Sequence, residues 1–277
     1  PQDSLFLVPF AGLQDTNGTY LIEQHTILTA PSIHVLSLTQ RKRDESGGRR
    51  TEPLPPAPSP FPLPSIVVGN PSMPSLVLEA GQEPTPLAPL PESEKEAIEI
   101  ARLLQTQAMT GEAATKIAIV QLLPSAQLIH LATHGLLEYG SAGGQASLQG
   151  LGVPGAIALA PADRDNGLLT ANEVVDLRLQ AHLVVLSACN TGQGRITGDG
   201  VIGLSRAFMA AGVPSVLVSL WAVPDAPTAR LMTAFYQNLL QHSDKARALR
   251  QAMLDTLQDY PYPLDWAAFT LIGEAGW

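Results

Sequence analysis

Apolar residues in this chain are gathered into short continuous runs instead of alternating with polar ones. A run without alternation predicts a strand that is covered on both faces of a sheet. Weaker apolar or β-branched stretches predict strands or strand-like edges near both ends of the chain. The strong runs are 65–69, 128–134, 183–189 and 215–221, and the weaker ones are 4–8, 26–29 and 267–272.

Helical periodicity occupies the segments between these runs. Apolar residues three or four positions apart, with acidic or capping residues ahead of them, predict helices. Such segments start at Glu92, cover 112–123, start at Thr170, cover 201–211 and fill 226–258 with two helices. Because strands alternate with helices, we predict an α/β fold with a mostly parallel central sheet sandwiched between helices.

Two irregular segments interrupt this alternation. Residues 40–64 combine charged residues and glycines with seven closely spaced prolines. They offer too little apolar surface to offset the entropy of ordering, so we predict a flexible insertion within one domain that covers 1–277. Residues 135–166 are rich in glycine but contain the apolar run 156–160. This pattern predicts a loop that carries a short strand or hairpin over the mouth of a site.

Composition restricts the partners of the chain. A formal net charge of −9 argues against direct nucleic-acid binding and against an anionic membrane surface, since both need basic clusters. No apolar run has the length of a membrane-spanning helix. The chain begins without an initiator Met or a signal peptide, so we expect a piece of a longer protein. The single cysteine cannot form an internal disulfide, which fits a reducing compartment and predicts a cytoplasmic location.

The run 183–189 ends in that single cysteine, Cys189, and glycines follow at 192 and 194. A free cysteine more often packs as a small hydrophobic residue than acts as a nucleophile. Here, however, Cys189 closes the run instead of lying inside it, and a helix is predicted just downstream. A helix N-terminus and a nearby imidazole both favour the thiolate form of a cysteine.

The run 128–134 has the same pattern, because it ends in a potentially reactive side chain, His134, and is followed by a glycine, Gly135. If the two runs are neighbouring parallel strands, their carboxyl ends bring His134 beside Cys189, where open α/β sheets place their sites. His130 lies four residues earlier, inside the predicted sheet, and we interpret it as structural. The backbone N–H groups of Gly135 and Cys189 would then form an oxyanion hole.

Ordered motifs along nearly the whole chain resemble those of the CHAT domain, a caspase-like domain often found behind TPR repeats. The N-terminal motifs are PFAGL at 9–13, YLIE at 20–23 and APS at 30–32. The remaining motifs are ATHG at 132–135, LSACNTG at 186–192, GLSRAF at 203–208, AGV at 211–213, SLWAVPD at 219–225, FY at 235–236 and DWAAFTLIG at 265–273. One departure from the family pattern is an N-terminal strand that is either shortened or absent, since the residues at 4–9 run almost directly into the first motif.

The resemblance implies a caspase–hemoglobinase fold and a cysteine endopeptidase with a His–Cys dyad. His134 would be the general base and acid, and Cys189 the nucleophile that forms a thioester. The loop at 221–225 would line the pocket for the residue before the scissile bond, the P1 residue. Separase has a similar stretch and cleaves after Arg, so Asp225, with Trp221 beside it, would bind a P1 Arg or Lys. Alternatively, Asp225 caps the helix that follows.

Other functions remain open at this point. The main alternative is a catalytically silent or regulatory module that binds a peptide or partner and is attached to a sensor domain. A dinucleotide site is weaker, because the glycines at 192, 194 and 198 depart from the GxGxxG spacing. One cysteine and no paired histidine spacing give no metal site, and no cofactor is implied. The expected partners are a protein or peptide substrate and an upstream TPR or sensor region.

Overall fold

A computed structural model of the chain describes residues 7–30, 62–77, 83–136, 155–187 and 198–277, and only the backbone of residues 198–202. The helices are α1 (Leu21–Gln24), α2 (Pro91–Leu103), α3 (Lys116–Leu122), α4 (Ala171–Val175), α5 (Gly198–Ala210), α6 (Asp225–His242) and α7 (Lys245–Asp259). The strands are β1 (Ser65–Pro71), β2 (Ser75–Leu76), β3 (Thr85–Pro86), β4 (Ala108–Gly111), β5 (Leu128–Ala132), β6 (Gly135–Leu136), β7 (Ala156–Ala158), β8 (Leu168–Thr170), β9 (Leu183–Leu186), β10 (Ser215–Ser219) and β11 (Phe269–Gly273).

A six-stranded sheet forms the centre of the fold, in the order β11-β10-β9-β5-β1-β4. The pairs β10–β9, β9–β5, β5–β1 and β1–β4 are parallel, and only β11 runs antiparallel to its neighbour. Each strand of the middle four corresponds to one of the strong apolar runs. The predicted mostly parallel sheet is therefore confirmed.

Apolar side chains cover both faces of this sheet, as the unbroken runs require. Alternate residues of β5 enter two different cores: Ile129 packs with α3, α4 and α5, whereas Leu128 packs with α2, α6 and α7. The cores bury large residues such as Phe208 on the first face and Phe235 on the second. Helices on both faces confirm the sandwich architecture.

A small antiparallel sheet lies beside the carboxyl end of β5. Strand β7 pairs with β6 on one side and with β8 on the other. The short strand expected within 156–160 is confirmed by β7. The capping box expected at Thr170 is present as well, since its hydroxyl accepts from the N–H of Glu173 and the Glu173 carboxylate accepts from the N–H of Thr170.

Some boundaries differ from the sequence prediction. Strand β4 was not predicted, because it is short, only half-buried and lies at the edge of the sheet. The helix expected from 112 begins at Lys116, where Thr115 caps it by accepting from the N–H of Ala118. Of the stretch 26–29, only Thr29 forms a bridge, to Ile272 of β11. All but the last three residues of the insertion 40–64 lie outside the described residues.

Gly69 allows α2 to approach β1 closely. A Cβ atom at this position would lie 2.4 Å from the Cβ of Ala97 and 2.4 Å from the backbone oxygen of Ser93. The second atom belongs to a helix backbone, so repacking of side chains cannot relieve the contact. The position of α2 over the sheet therefore depends on glycine at 69.

We expect Gly69→Ala to lower the free energy of unfolding by about 1–3 kcal/mol, the usual range for overpacking in a core. Urea denaturation followed by circular dichroism measures this change. A free energy of unfolding that differs from that of the wild type by less than about 0.5 kcal/mol, as is typical of unconstrained surface positions, would contradict this close packing.

Candidate active site

The carboxyl ends of β5, β9 and β10 lie next to one another at one edge of the sheet. His134 follows β5 by two residues, Ser187 directly follows β9, and Trp221 follows β10. Adjacent strands are about 4.8 Å apart, so β10 lies about 10 Å from β5. Cys189 is outside the described residues, and its predicted role as nucleophile and oxyanion donor stays a prediction.

The imidazole of His134 is buried and held by one backbone carbonyl. Its Nε2 lies 2.6 Å from the oxygen of Ala88, and the residue is only 2% exposed. A carbonyl oxygen can only accept, so Nε2 carries the proton and Nδ1 has the free lone pair of the neutral ring. Nδ1 is buried and has no hydrogen-bond partner among the described residues. This geometry leaves Nδ1 as the basic atom of the ring.

Strand β7 fixes the backbone at His134. The N–H of Ala158 donates to the carbonyl of His134 at 2.9 Å, and the hydroxyl of Thr133 donates to the carbonyl of Ala158 at 2.8 Å. The backbone N–H and the carbonyl of Ala158 thus both bind to the connection between β5 and β6. The position of the imidazole is therefore determined by the main chain as well as by Ala88.

Gly135 has a backbone orientation that suits the predicted oxyanion role. Gly135 faces Ile157 in the antiparallel pair, and the neighbouring pair His134–Ala158 is the hydrogen-bonded one. Hydrogen-bonded and non-hydrogen-bonded pairs alternate in such a ladder, so the N–H of Gly135 points away from β7. Strand β6 is the edge of its sheet, and this N–H is not used in the ladder.

A small cavity adjoins His134 and Gly135. Its volume is about 10 Å³, and its described lining includes Thr133, Leu131 and Leu186. That volume is close to the minimum needed for one water molecule. The wall is mostly apolar, and a dry wall disfavours a charged imidazole.

Burial lowers the pKa of His134 below its ordinary value of 6.5, although the hydrogen bond to Ala88 opposes the shift. The ring is therefore neutral at pH 7. A neutral imidazole is the form that can remove a proton from a thiol.

Trp221 joins two loops at the same edge of the sheet. Its indole N–H donates to the carbonyl of Leu264 at 2.9 Å, which connects the residues after β10 to those before β11. The side chain is partly buried and packs against both cores. The side chain of Trp221 is thus held in place and forms a wall at this edge of the sheet.

Asp225 is exposed and is the first residue of α6. Pro224 holds the N-cap position, and no side-chain hydrogen bond caps the helix there. The alternative role of Asp225 as the N-cap is therefore not observed. Its charge still lies in the first turn, where the helix dipole favours an anion.

A buried polar cluster, formed by Glu96, His130, Ser187 and Tyr236, lies on the α2 side of the sheet. The Ser187 hydroxyl donates to the Glu96 carboxylate at 2.6 Å, and Nδ1 of His130 lies 3.1 Å from the Tyr236 hydroxyl. Nε2 of His130 is 3.1 Å from the same Glu96 oxygen, but its N–H is not aligned for a hydrogen bond, so this contact is purely electrostatic. We call this group the Glu96 cluster.

Within the Glu96 cluster, burial and the nearby charge of Glu96 raise the pKa of Tyr236 well above 10. The phenol therefore stays protonated and can donate to Nδ1 of His130. Sequence reasoning interpreted His130 as a structural residue, and its complete burial agrees with that interpretation. The sequence did not reveal Glu96, because it lies among other acidic residues of a helix with an exposed face.

The described residues contain no group of three or more His, Cys, Asp or Glu side chains arranged to hold a metal ion. In the same part of the chain, no helix combines the length and apolar character needed to cross a bilayer.

The architecture is that of the caspase-like α/β proteins. One similar solved structure is the separase–securin complex of Saccharomyces cerevisiae, with a TM-score of 0.53 and 13% sequence identity, covering 98% of this chain and 15% of that chain. At this level of identity the similarity concerns the fold alone. The caspase–hemoglobinase fold implied by the motifs is confirmed.

The sequence matches the CHAT domain over residues 1–274, and the chain belongs to the CHAT domain family. Curated relatives include tetratricopeptide repeat protein 28 of Homo sapiens, 34% identical over 299 residues, and that of Mus musculus, 33% identical over 299 residues. Each alignment covers 99% of this chain but only 12% of the relative. The chain thus spans a small part of the relatives that it matches.

We expect the free energy of unfolding to fall as the pH drops below about 6.5, the ordinary histidine pKa. The unfolded chain binds a proton there before the buried ring of His134 does, so protonation favours unfolding. His134→Asn, which cannot titrate, should reduce this dependence. Urea denaturation between about pH 7.5 and pH 5 measures it.

His182 is a second contributor, because burial and the charge of Lys245 lower its pKa as well. The comparison is therefore repeated in a His182→Asn background. An equal pH dependence with and without His134 would show that this ring is not held in its neutral form by burial.

Proposed function

We propose that this chain is a cysteine endopeptidase with a His134–Cys189 dyad, which cleaves protein or peptide substrates. The observation that carries the proposal is the imidazole of His134. It lies at the carboxyl end of β5, with Nε2 bound to Ala88 and a basic Nδ1 that no described residue occupies. A general base needs this combination of fixed orientation and available lone pair.

The pairing of β5 with β9 supports the choice of Cys189 as the nucleophile. Leu128 to Leu131 face Leu183 to Leu186 in register, a constant offset of 55 positions. The pairing extends beyond β9, because the N–H of Ser187 donates to the carbonyl of Leu131. The same offset, continued along the sequence from His134, leads to position 189.

In the proposed reaction, Nδ1 of His134 accepts the thiol proton, and the sulfur of Cys189 attacks the carbonyl carbon of the scissile peptide. The N–H groups of Gly135 and Cys189 stabilise the oxyanion. The C–N bond then breaks as the imidazolium donates its proton to the leaving amine, which leaves a thioester. Water adds to the thioester while His134 accepts its proton, and the carboxylic acid product departs as the thiol is restored.

We expect Cys189→Ala to abolish cleavage of fluorogenic Arg and Lys peptides, and His134→Ala to lower kcat by about 10²–10⁴-fold, the usual range for lost acid–base catalysis. His25→Ala, at an exposed site, serves as the matched control. Cys189 is the only cysteine, so its alkylation rate reports on this thiol alone. In the wild type, alkylation should remain fast at pH values below about 8.5, the pKa of a free thiol. His134→Ala should slow alkylation at these pH values.

The wild-type protein could instead bind these peptides saturably without cleaving them, with a thiol that reacts like a free thiol. This result would indicate a catalytically silent partner-binding module. That outcome would overturn the endopeptidase proposal.

For substrate selection, we propose that Asp225 pairs with an Arg or Lys residue before the scissile bond, next to the wall formed by Trp221. The exposed Asp225 carboxylate is not used as a helix cap, and it lies on the loop side of β10, one strand beyond β9. A guanidinium can bind a carboxylate through two parallel hydrogen bonds.

We expect Asp225→Asn to lower kcat/KM for Arg peptides by about ten- to a hundred-fold, the range for one lost hydrogen bond between charged groups. Peptides with a neutral residue at that position should be unaffected, and so should thiol alkylation. Asp176→Asn, another exposed carboxylate, is the control. Equal losses on charged and neutral peptides would show that Asp225 acts on stability and not on specificity.

The relatives are named as tetratricopeptide repeat proteins. We therefore propose that the full-length protein places a TPR or sensor region upstream of this domain and that the protein works in the cytoplasm. The cysteine usage supports the location, because a lone thiol stays reduced there.

A further inference from the structure

The Glu96 cluster has no role in the proposed reaction, yet it places a carboxylate inside the core. Glu96 is 4% exposed, and Ser187, His130 and Tyr236 are all buried beside it. A buried carboxylate is tolerated only where hydrogen bonds or opposite charge compensate for lost hydration. Here one short hydrogen bond comes from Ser187, and Nε2 of His130 lies 3.1 Å from the same carboxylate oxygen.

Stability alone gives little reason for this arrangement. Replacing a buried ionic or polar group by well-packed apolar residues is often neutral or stabilising. The core on the opposite face of the same sheet consists mainly of aliphatic and aromatic side chains. The polar cluster is therefore better explained by the geometry that it specifies than by the energy that it adds.

The cluster connects the two strands that carry the proposed dyad. His130 lies on β5, four residues before His134, and Ser187 follows β9, two residues before Cys189 in the sequence. Glu96 contacts both, from α2 above the sheet. Tyr236 of α6 binds the other nitrogen of His130, so the ring cannot turn away from Glu96 without losing that contact.

We propose that Glu96 is a positioning residue, which holds the carboxyl end of β9 through the hydroxyl of Ser187 and thereby orients the nucleophile against His134. The inference rests on the proposed dyad. In this proposal Glu96 acts through Ser187 and takes no direct part in the reaction. Its effect reaches the thiol through the two-residue step from Ser187 to Cys189.

We expect Ser187→Ala to lower kcat by about ten- to a hundred-fold with little change in KM, because a misplacement of the order of 1 Å has effects of that size. Glu96→Gln keeps an oxygen that can accept from Ser187, and it should retain most of the activity. Thr256→Val is the matched control, since it also removes a buried hydroxyl, one that donates to Ala252 within α7.

Thiol alkylation against pH provides a readout that general destabilisation does not move. In folded Ser187→Ala protein the midpoint should shift upward, toward the value of about 8.5 for a free thiol. In Thr256→Val it should stay at the wild-type position. Circular dichroism and urea denaturation establish that each variant is folded under the conditions of the assay.

The possible results separate the two proposals. A His134-dependent wild-type profile that Ser187→Ala shifts supports the positioning role. If the wild-type profile depends on His134 but Ser187→Ala does not shift it, and if the kcat of Ser187→Ala equals that of Thr256→Val, the positioning role is overturned. The dyad proposal then stands. A wild-type thiol that ignores His134→Ala overturns the dyad, and the positioning role with it.

Discussion

The parallel pairing of β5 with β9 is the constraint on which the candidate site depends. Four consecutive residue pairs lie in register, all of them buried, and a further backbone hydrogen bond joins Ser187 to Leu131. A slip of one residue would turn every side chain of a strand to the opposite face, against the wrong core. The cost of that exchange fixes the register, and the register fixes which residues meet where the strands end.

The two faces of the central sheet are specified differently. On one face, the core consists mainly of aliphatic and aromatic residues, so that volume and shape decide much of the fit. On the other face, the Glu96 cluster adds directional contacts to a similar apolar core. Apolar packing tolerates small sliding movements, whereas a carboxylate that faces a hydroxyl and an imidazole prefers one arrangement.

The strong apolar runs were enough to predict the central sheet, its layers and the edge at which His134 lies. Signals of this kind are local, since burial on both faces leaves a strand no polar positions. Strand β4 escaped prediction because a short, half-buried edge strand has no such pattern. Glu96 and Ala88 escaped for a different reason: one is an ordinary acidic residue of a helix, and the other contributes only a backbone carbonyl, which no side-chain pattern reveals.

Helix α2 and the chain that leads into it contact both halves of the candidate site. Ala88 lies just ahead of the helix and accepts from His134, while Glu96 lies within the helix and accepts from Ser187. Gly69 brings this helix into close contact with β1, so the helix and the chain that leads into it hold both attachment points against the same sheet. The hydrogen bond to the imidazole and the hydrogen bond at the end of β9 therefore both depend on where α2 lies over the sheet.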